Sequence, residues 1–160
     1  MDLREIWSGG QTGVDRAAWD AGRELGIAIG GWVPKGRLAE DGPVPGRYSE
    51  CRETATADYG ERTIANVRDS DATLILFRGV LTGGSRFTRD EAERLKRPVL
   101  AVDLESESVS RAATSITRWL AAVSGARLNV AGPRASTDPG GYAVALAVLL
   151  RALAGYRAPD

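Results

Sequence analysis

Short apolar runs alternate with helical periods along the chain, and that alternation sets the order of elements. Glu5-Ile6-Trp7 predicts a first strand. Val14, Ala17, Ala18, Ala21 and Leu25 follow at spacings of three and four, an amphipathic helix that Gly26 stops. Ile27 to Val33 predicts a second strand, and residues 34 to about 60 form a long Gly- and Pro-rich connection. Ile64 and Val67 then mark a short helix. Ala72 to Phe77 is the clearest buried strand, its continuous apolar run being what a parallel sheet covered on both faces demands. In the next helix Thr88-Arg89-Asp90-Glu91 reads as a capping box, or Ser85 caps one turn earlier. Pro98 to Val102 predicts a fourth strand, and Val109, Ala112, Ala113, Ile116, Leu120 and Val123 a fourth helical face. Arg127 to Val130 predicts a fifth strand, shorter and more polar, at an edge of the sheet. Pro139 falls near the first turn of a last helix whose buried stripe is Tyr142, Leu146, Leu149, Leu150 and Leu153.

A βα unit repeated five times predicts an α/β fold, Rossmann-like, with about five mainly parallel strands and helices on both faces. At 160 residues the chain suits a single domain over 1–160 with one hydrophobic core. The pattern shows no run of about 20 apolar residues, so no membrane span is expected. Met1-Asp2-Leu3-Arg4-Glu5 lacks the apolar core of a secretory signal, so a cytoplasmic protein is expected.

Composition narrows the chemistry. Lys and Arg together number 21, as do Asp and Glu, so a basic surface for nucleic acid or anionic membrane is not expected. Histidine is absent and Cys51 is the single cysteine. That removes Ser-His-Asp and Cys-His catalysis, His-ligated metal sites, multi-cysteine zinc sites and internal disulfides. Nineteen of the 21 basic residues are Arg. A GC-rich genome accounts for that, or Arg forks hold oxyanions.

Right-handed crossovers put the carboxyl ends of parallel strands on one edge, where ligands bind. Four loops are predicted there: Ser8 to Arg16, Gly30-Gly31 with Pro34-Lys35-Gly36-Arg37, Arg78 to Ser85, and Ala131 to Ser136. Glycine allows close backbone approach, and helix N-termini supply free N–H groups and partial positive charge. Several such turns, with Lys35, Arg37, Arg86 and Arg134 beside them, predict a cradle for phosphate or another oxyanion. Neither common phosphate motif fits. Val14-Asp15 stand where a P-loop needs Lys-Ser/Thr, and Trp32-Val33-Pro34 replace the acidic residue that would read a ribose.

The segment from 34 to about 60 is too long for a passive connection, and is read as a lid or pocket wall, or as a flexible or oligomer-contacting loop. Cys51 lies there without an assigned role. Asp15, Glu40 and Asp41 either orient the loop arginines or do acid–base work.

These residues carry a resemblance. Ser8-Gly-Gly-Gln-Thr-Gly-Val-Asp-Arg-Ala17, Pro34-Lys-Gly-Arg37, Ala39-Glu-Asp-Gly42, Glu61-Arg62 with Asn66-Val67, Asp69-Ser-Asp71, Leu81-Thr-Gly-Gly84 with Thr88, and Leu128 to Ser136 resemble the family described as molybdenum cofactor carriers. Those proteins are circularly permuted relatives of a Rossmann-like, lysine-decarboxylase-like (LOG-related) superfamily that includes the cytokinin-activating phosphoribohydrolases. The resemblance covers residues 5 to 155 or so. It implies storage and transfer of the molybdenum cofactor (molybdopterin with its metal) without turnover. It also implies a dimer or tetramer and exchange with cofactor-biosynthesis proteins or molybdoenzymes. Trp19, off the main apolar stripe of its helix, is a candidate for the assembly surface.

With the glycine loops, the resemblance gives as cofactor-binding candidates Gly9, Gly10, Gln11, Thr12, Arg16, Lys35, Arg37, Thr82, Gly83, Gly84, Ser85, Arg86, Thr88, Arg134 and Ser136. No residue is expected to be catalytic or to ligate a metal, because the cofactor's dithiolene supplies the sulfur ligands. A bare oxyanion such as phosphate or molybdate is the simpler ligand. The rival is an enzyme: phosphoribohydrolases of the superfamily carry Pro-Gly-Gly-x-Gly-Thr-x-x-Glu. Here Thr82-Gly-Gly-Ser-Arg-Phe-Thr-Arg-Asp90 has Arg86 for glycine, a late Thr88, and Asp90 for the catalytic Glu. A nucleotide-binding sensor would use the same pocket.

Overall fold

The computed structural model describes residues 1–157, so the last three positions of the domain expected over 1–160 lie outside the described residues. The chain runs β1 (Glu5–Trp7), α1 (Val14–Leu25), β2 (Ala28–Gly30), β3 (Trp32–Val33), β4 (Leu38–Ala39), β5 (Gly42–Pro43) and β6 (Arg52–Glu53). It continues through α2 (Tyr59–Arg68), β7 (Ala72–Phe77), α3 (Gly83–Arg94), β8 (Val99–Asp103), α4 (Val109–Ala122), β9 (Arg127–Ala131) and α5 (Gly141–Ala152). No helix among the described residues is long and apolar enough to cross a membrane.

The central sheet has five strands in the order β2-β1-β9-β7-β8, every pair parallel. The α/β fold with helices on both faces is therefore present. Counted from β7 and continued through β9 to β1 and β2, the order becomes 2-1-3-4-5, a familiar doubly wound order. Its switch point falls between β7 and β9.

The polar fifth strand is not at an edge. β9 lies between β1 and β7, pairing Leu128 with both Ile6 and Ala72. Its polar side chains alternate onto one face, where each finds a partner. Arg127 reaches Glu5 at 3.0 Å and lies 4.0 Å over the Trp7 ring, while Asn129 donates to Thr73 at 3.3 Å. Leu128 and Val130 point the other way, into the main core. There α1, α4 and α5 pack with Ile6, Leu74, Leu76 and Val102. α2 and α3 pack together beside the opposite face, with α3 against β7 and β8.

Other local expectations change as well. The second strand breaks at Gly31, whose φ of 128° sends Trp32–Val33 into a separate parallel pair with β6. α3 begins at Gly83 after Thr82, so Ser85 and Thr88 lie inside the helix and neither caps it. Pro139 precedes the N-cap Gly140 of α5. Gly26 does stop α1, in the left-handed conformation at φ 69°. Trp19 is only 1% exposed and packs with Val33, Ala39, Val44 and Tyr48 in a second core under the long connection. It therefore offers no assembly surface.

Candidate functional site

The loops after β7 and β9 flank the switch point, and a cleft of about 830 Å³ opens there between the first turns of α2 and α3. Such a volume suits a cofactor-sized ligand. Of the sequence candidates, Gly9, Gln11, Thr82, Gly83, Gly84, Ser85, Thr88 and Arg134 line it.

α3 presents the open helix end. Thr82 makes no side-chain cap, and no acidic residue occupies the first turn. Its backbone N–H groups and dipole therefore face the cleft uncompensated. A side chain at Gly83 or Gly84 would meet nothing within 4 Å, so these glycines leave space free rather than filling a packing gap. Two other glycines of the cleft wall serve packing. A side chain at Gly9 would strike Arg62, and one at Gly132 would strike the Leu76 carbonyl. The N-terminus of α1 is closed, because Val14 N–H donates to the Pro133 carbonyl at 3.4 Å.

Seven candidates are not part of the cleft wall. Gly10 is buried against Trp19, Val33 and Val44. Arg16 forks onto Asp41 at 2.7 and 2.8 Å. Arg37 donates to the carbonyls of Val44, Pro45 and Tyr48 and to Cys51 Sγ, stapling the long connection from within. Lys35 is exposed away from the cleft, and Arg86 sits on the outer side of α3, 3.9 Å from Asp90. Thr12 and Ser136 are joined through Glu40, whose carboxylate accepts from both hydroxyls and from Ser136 N–H at 3.1 Å. Those bonds hold the Glu40 carboxyl below its ordinary value, the Ser136 hydroxyl first and Thr12 next. The long connection is thus a strap latched beside the cleft.

The cleft also contains residues that the loop argument passed over. Tyr59, Arg62 and Asn66 share one face of α2 at helical spacing, which is the signal that would have found them. Asp58 caps that helix by accepting from Gly60 N–H at 2.9 Å. Arg62 Nη1 donates to Asp15 Oδ2 at 3.0 Å, and Gln11 N–H donates to the same oxygen at 3.2 Å. Arg62 Nε is buried without a partner. Burial pushes the Asp15 carboxyl above its ordinary value, against the opposing pull of Arg62. At the mouth Arg78 pairs with Asp138. Arg134 is the least committed guanidinium, its nearest carboxylate being Glu40 at 3.9 Å. Asn129 reaches the floor from β9. Among the described residues no three His, Cys, Asp or Glu side chains cluster as metal ligands. Asp90 lies outside the lining, paired with Arg89 at 2.7 Å.

The comparisons agree with this architecture. No curated protein matches the chain. A crystal structure from Syntrophus aciditrophicus SB, described as a "putative molybdenum carrier protein", is 48% identical with a TM-score of 0.92. That alignment covers 95% of this chain and 96% of the other. The profile of the circularly permutated YpsA SLOG family matches residues 6–153, spanning the strands of the central sheet and the whole cleft, and the chain belongs to that family.

Proposed function

We propose that this protein binds the molybdenum cofactor as cargo in the cleft between α2 and α3 and releases it unchanged. The observation that carries this reading is the uncapped N-terminus of α3, with Gly83 and Gly84 leaving open space before it. A terminal phosphate suits that end, where backbone N–H groups and the helix dipole favour negative charge. Arg134 adds a guanidinium with little competing charge. Gln11 and Asn129 offer amides to the polar edges of a pterin. The cargo brings sulfur ligands for its own metal, which suits a cleft whose polar lining is amides, guanidinium groups, hydroxyls and a few carboxylates, with no cysteine among them. The description of the Syntrophus relative as a molybdenum carrier supports a cargo that contains molybdenum.

A carrier needs affinity without turnover, and the placement of Asp90 outside the lining supports a non-enzymatic role. The experiment incubates the protein with molybdenum cofactor, removes the excess and records the absorbance spectrum. AMP hydrolysis is assayed in parallel. The proposal expects retained cofactor, at least tenfold weaker retention in Gly84→Val, about 1.4 kcal/mol, and no free adenine. AMP hydrolysis that disappears in Asp90→Asn would overturn it.

The reading extends to a dimer or tetramer, with Val80 and Phe87 as exposed apolar side chains on the cleft rim. A 17 kDa species by light scattering at micromolar concentration removes that extension.

A further inference from the structure

We infer that the outer edge of β8 is where two copies of this chain join, antiparallel about a two-fold axis at Ala101, so that their central sheets run on as one. This rests on the assembly reading above and names its surface. It is independent of what the cleft binds.

β8 is an end strand of the central sheet, paired with β7 alone. The ladder fixes which of its backbone groups are already used. Thr73 N–H donates to the Pro98 carbonyl at 2.9 Å, and Leu104 N–H donates to the Phe77 carbonyl at 2.7 Å. Bonding residues alternate along a ladder, so Leu100 and Val102 also face β7. Val99, Ala101 and Asp103 therefore turn their N–H and C=O groups outward. The neighbouring helices lean away from that edge, α3 onto α2 and β7, and α4 onto α5. Ala101 is accordingly exposed, with Val99 and Leu100 partly so. Open edges are ordinarily blunted by lysine or proline within the strand. Val99-Leu100-Ala101-Val102-Asp103 contains neither.

Charge selects a second copy as the occupant. Lys96 and Arg97 precede the strand, Glu105 and Glu107 follow it, and all four are exposed. Among the described residues none of the four is in an ion pair. Antiparallel pairing about Ala101 sets Ala101 against Ala101, Val99 against Asp103, and Arg97 against Glu105 of the other copy, each twice by symmetry. The two Ala101 residues exchange N–H···O bonds, and each Asp103 N–H meets a Val99 carbonyl. Opposite charges then face each other at both ends of the join. An in-register parallel pairing would instead put Arg97 beside Arg97. At the axis only the small Ala101 methyl groups have to pass each other. Glu105 also lines the cleft, so Arg97 of the second copy stands at that cleft's outer rim.

Light scattering at micromolar concentration tests the join. Wild type is expected at twice the 17.0 kDa chain mass or a multiple of it. Ala101→Lys brings two ammonium groups together at the axis and should halve that mass, and Ala101→Glu should do the same. Mixing the two variants should restore it, because lysine then faces glutamate. Thermal melting checks each fold. If Ala101→Lys fails to fold, Ala101→Pro replaces it, since only an outward N–H is lost. An assembly whose mass is unchanged in both Ala101→Lys and Ala101→Glu overturns the β8 join while keeping the assembly reading. A wild type at 17.0 kDa removes both. A mixture that stays dissociated overturns the two-fold register.

Discussion

Arg62 Nη1 lies 3.0 Å from Asp15 Oδ2, an ion pair across 47 positions of sequence that joins α2 to the first turn of α1 beneath the cleft. Both side chains are close to nine-tenths buried or more, with exposures of 11% and 5%. Removing one partner leaves the other charge buried and uncompensated. Arg62→Ala is expected to cost about 3–5 kcal/mol of stability by urea denaturation. Asp15→Ala combined with Arg62→Ala should recover part of that loss, since no lone charge remains. A double variant no more stable than Arg62→Ala would show that the pair is not coupled.

The latch at Glu40 gives a pH dependence. Its carboxyl titrates below the ordinary 4.5 because Ser136 and then Thr12 donate to the ionised form. In the released chain the group takes up its proton near 4.5, and in the latched chain only at lower pH. The latch contribution is therefore complete above pH 4.5 and is lost as the pH falls through the depressed value. Amide exchange across residues 38–44 should accelerate in that acid window. In Glu40→Gln the acid step should vanish, with exchange already faster at neutral pH.

Neighbouring glycines should separate binding from folding. Gly83 has φ 54°, which a side chain adopts only with strain, so Gly83→Ala should lose about 1 kcal/mol of stability. Gly84 has no such constraint and faces open space. Gly84→Ala should keep or slightly raise the melting temperature, since alanine favours helix over glycine. It should still crowd a ligand at the end of α3. Intact cofactor affinity in both Gly84→Ala and Gly84→Val would place the anion elsewhere.

Arg37 has a structural task in this fold. Its guanidinium donates to three carbonyls of the long connection and to Cys51 Sγ, at 2.9 to 3.2 Å. Arg37→Ala should lower stability by about 2 kcal/mol, in the range of charge-assisted hydrogen bonds. Arg37→Lys should not restore it, because one ammonium cannot span those acceptors. Ligand affinity, measured where the variant is folded, should stay at the wild-type level. A selective loss of affinity with normal stability would return Arg37 to the binding site.

The buried strand Ala72–Phe77, the helix period from Val14 and the stop at Gly26 were all readable from spacing alone, because each depends on local pattern. Strand order was not. Arg127 and Asn129 make β9 look like an edge, and only long-range partners, Glu5, Trp7 and Thr73, make those polar residues affordable in the centre. Of the helix N-termini to which the glycine loops pointed, that of α3 is left uncapped at the cleft, while Pro133 closes α1 from a distant loop. Among the cations, Arg16 in the first turn of α1 and Arg37 in the long connection lie where ligand contacts were expected, yet their partners are Asp41 and the strap's own carbonyls. Arg62 entered the resemblance without a site role because it lies within a helix rather than a glycine loop, and its importance comes from facing Asp15 across the cleft floor.

The central place of β9 has a consequence for how the chain is made. A ribosome delivers β1 and β2 early, then β7 and β8, and each couple can form its own parallel ladder. Neither ladder touches the other in the finished sheet. Both are joined only through residues 127–131, which emerge after all the other strands. Until then the nascent chain holds two ribbons, each with an open inner edge of the kind that invites wrong partners. Completion of the sheet is a late, long-range event, and such closures are slow and exposed to aggregation. The same insertion brings Gly132 to Arg134 into position, so the cleft between α2 and α3 comes into being in the same step that closes the sheet.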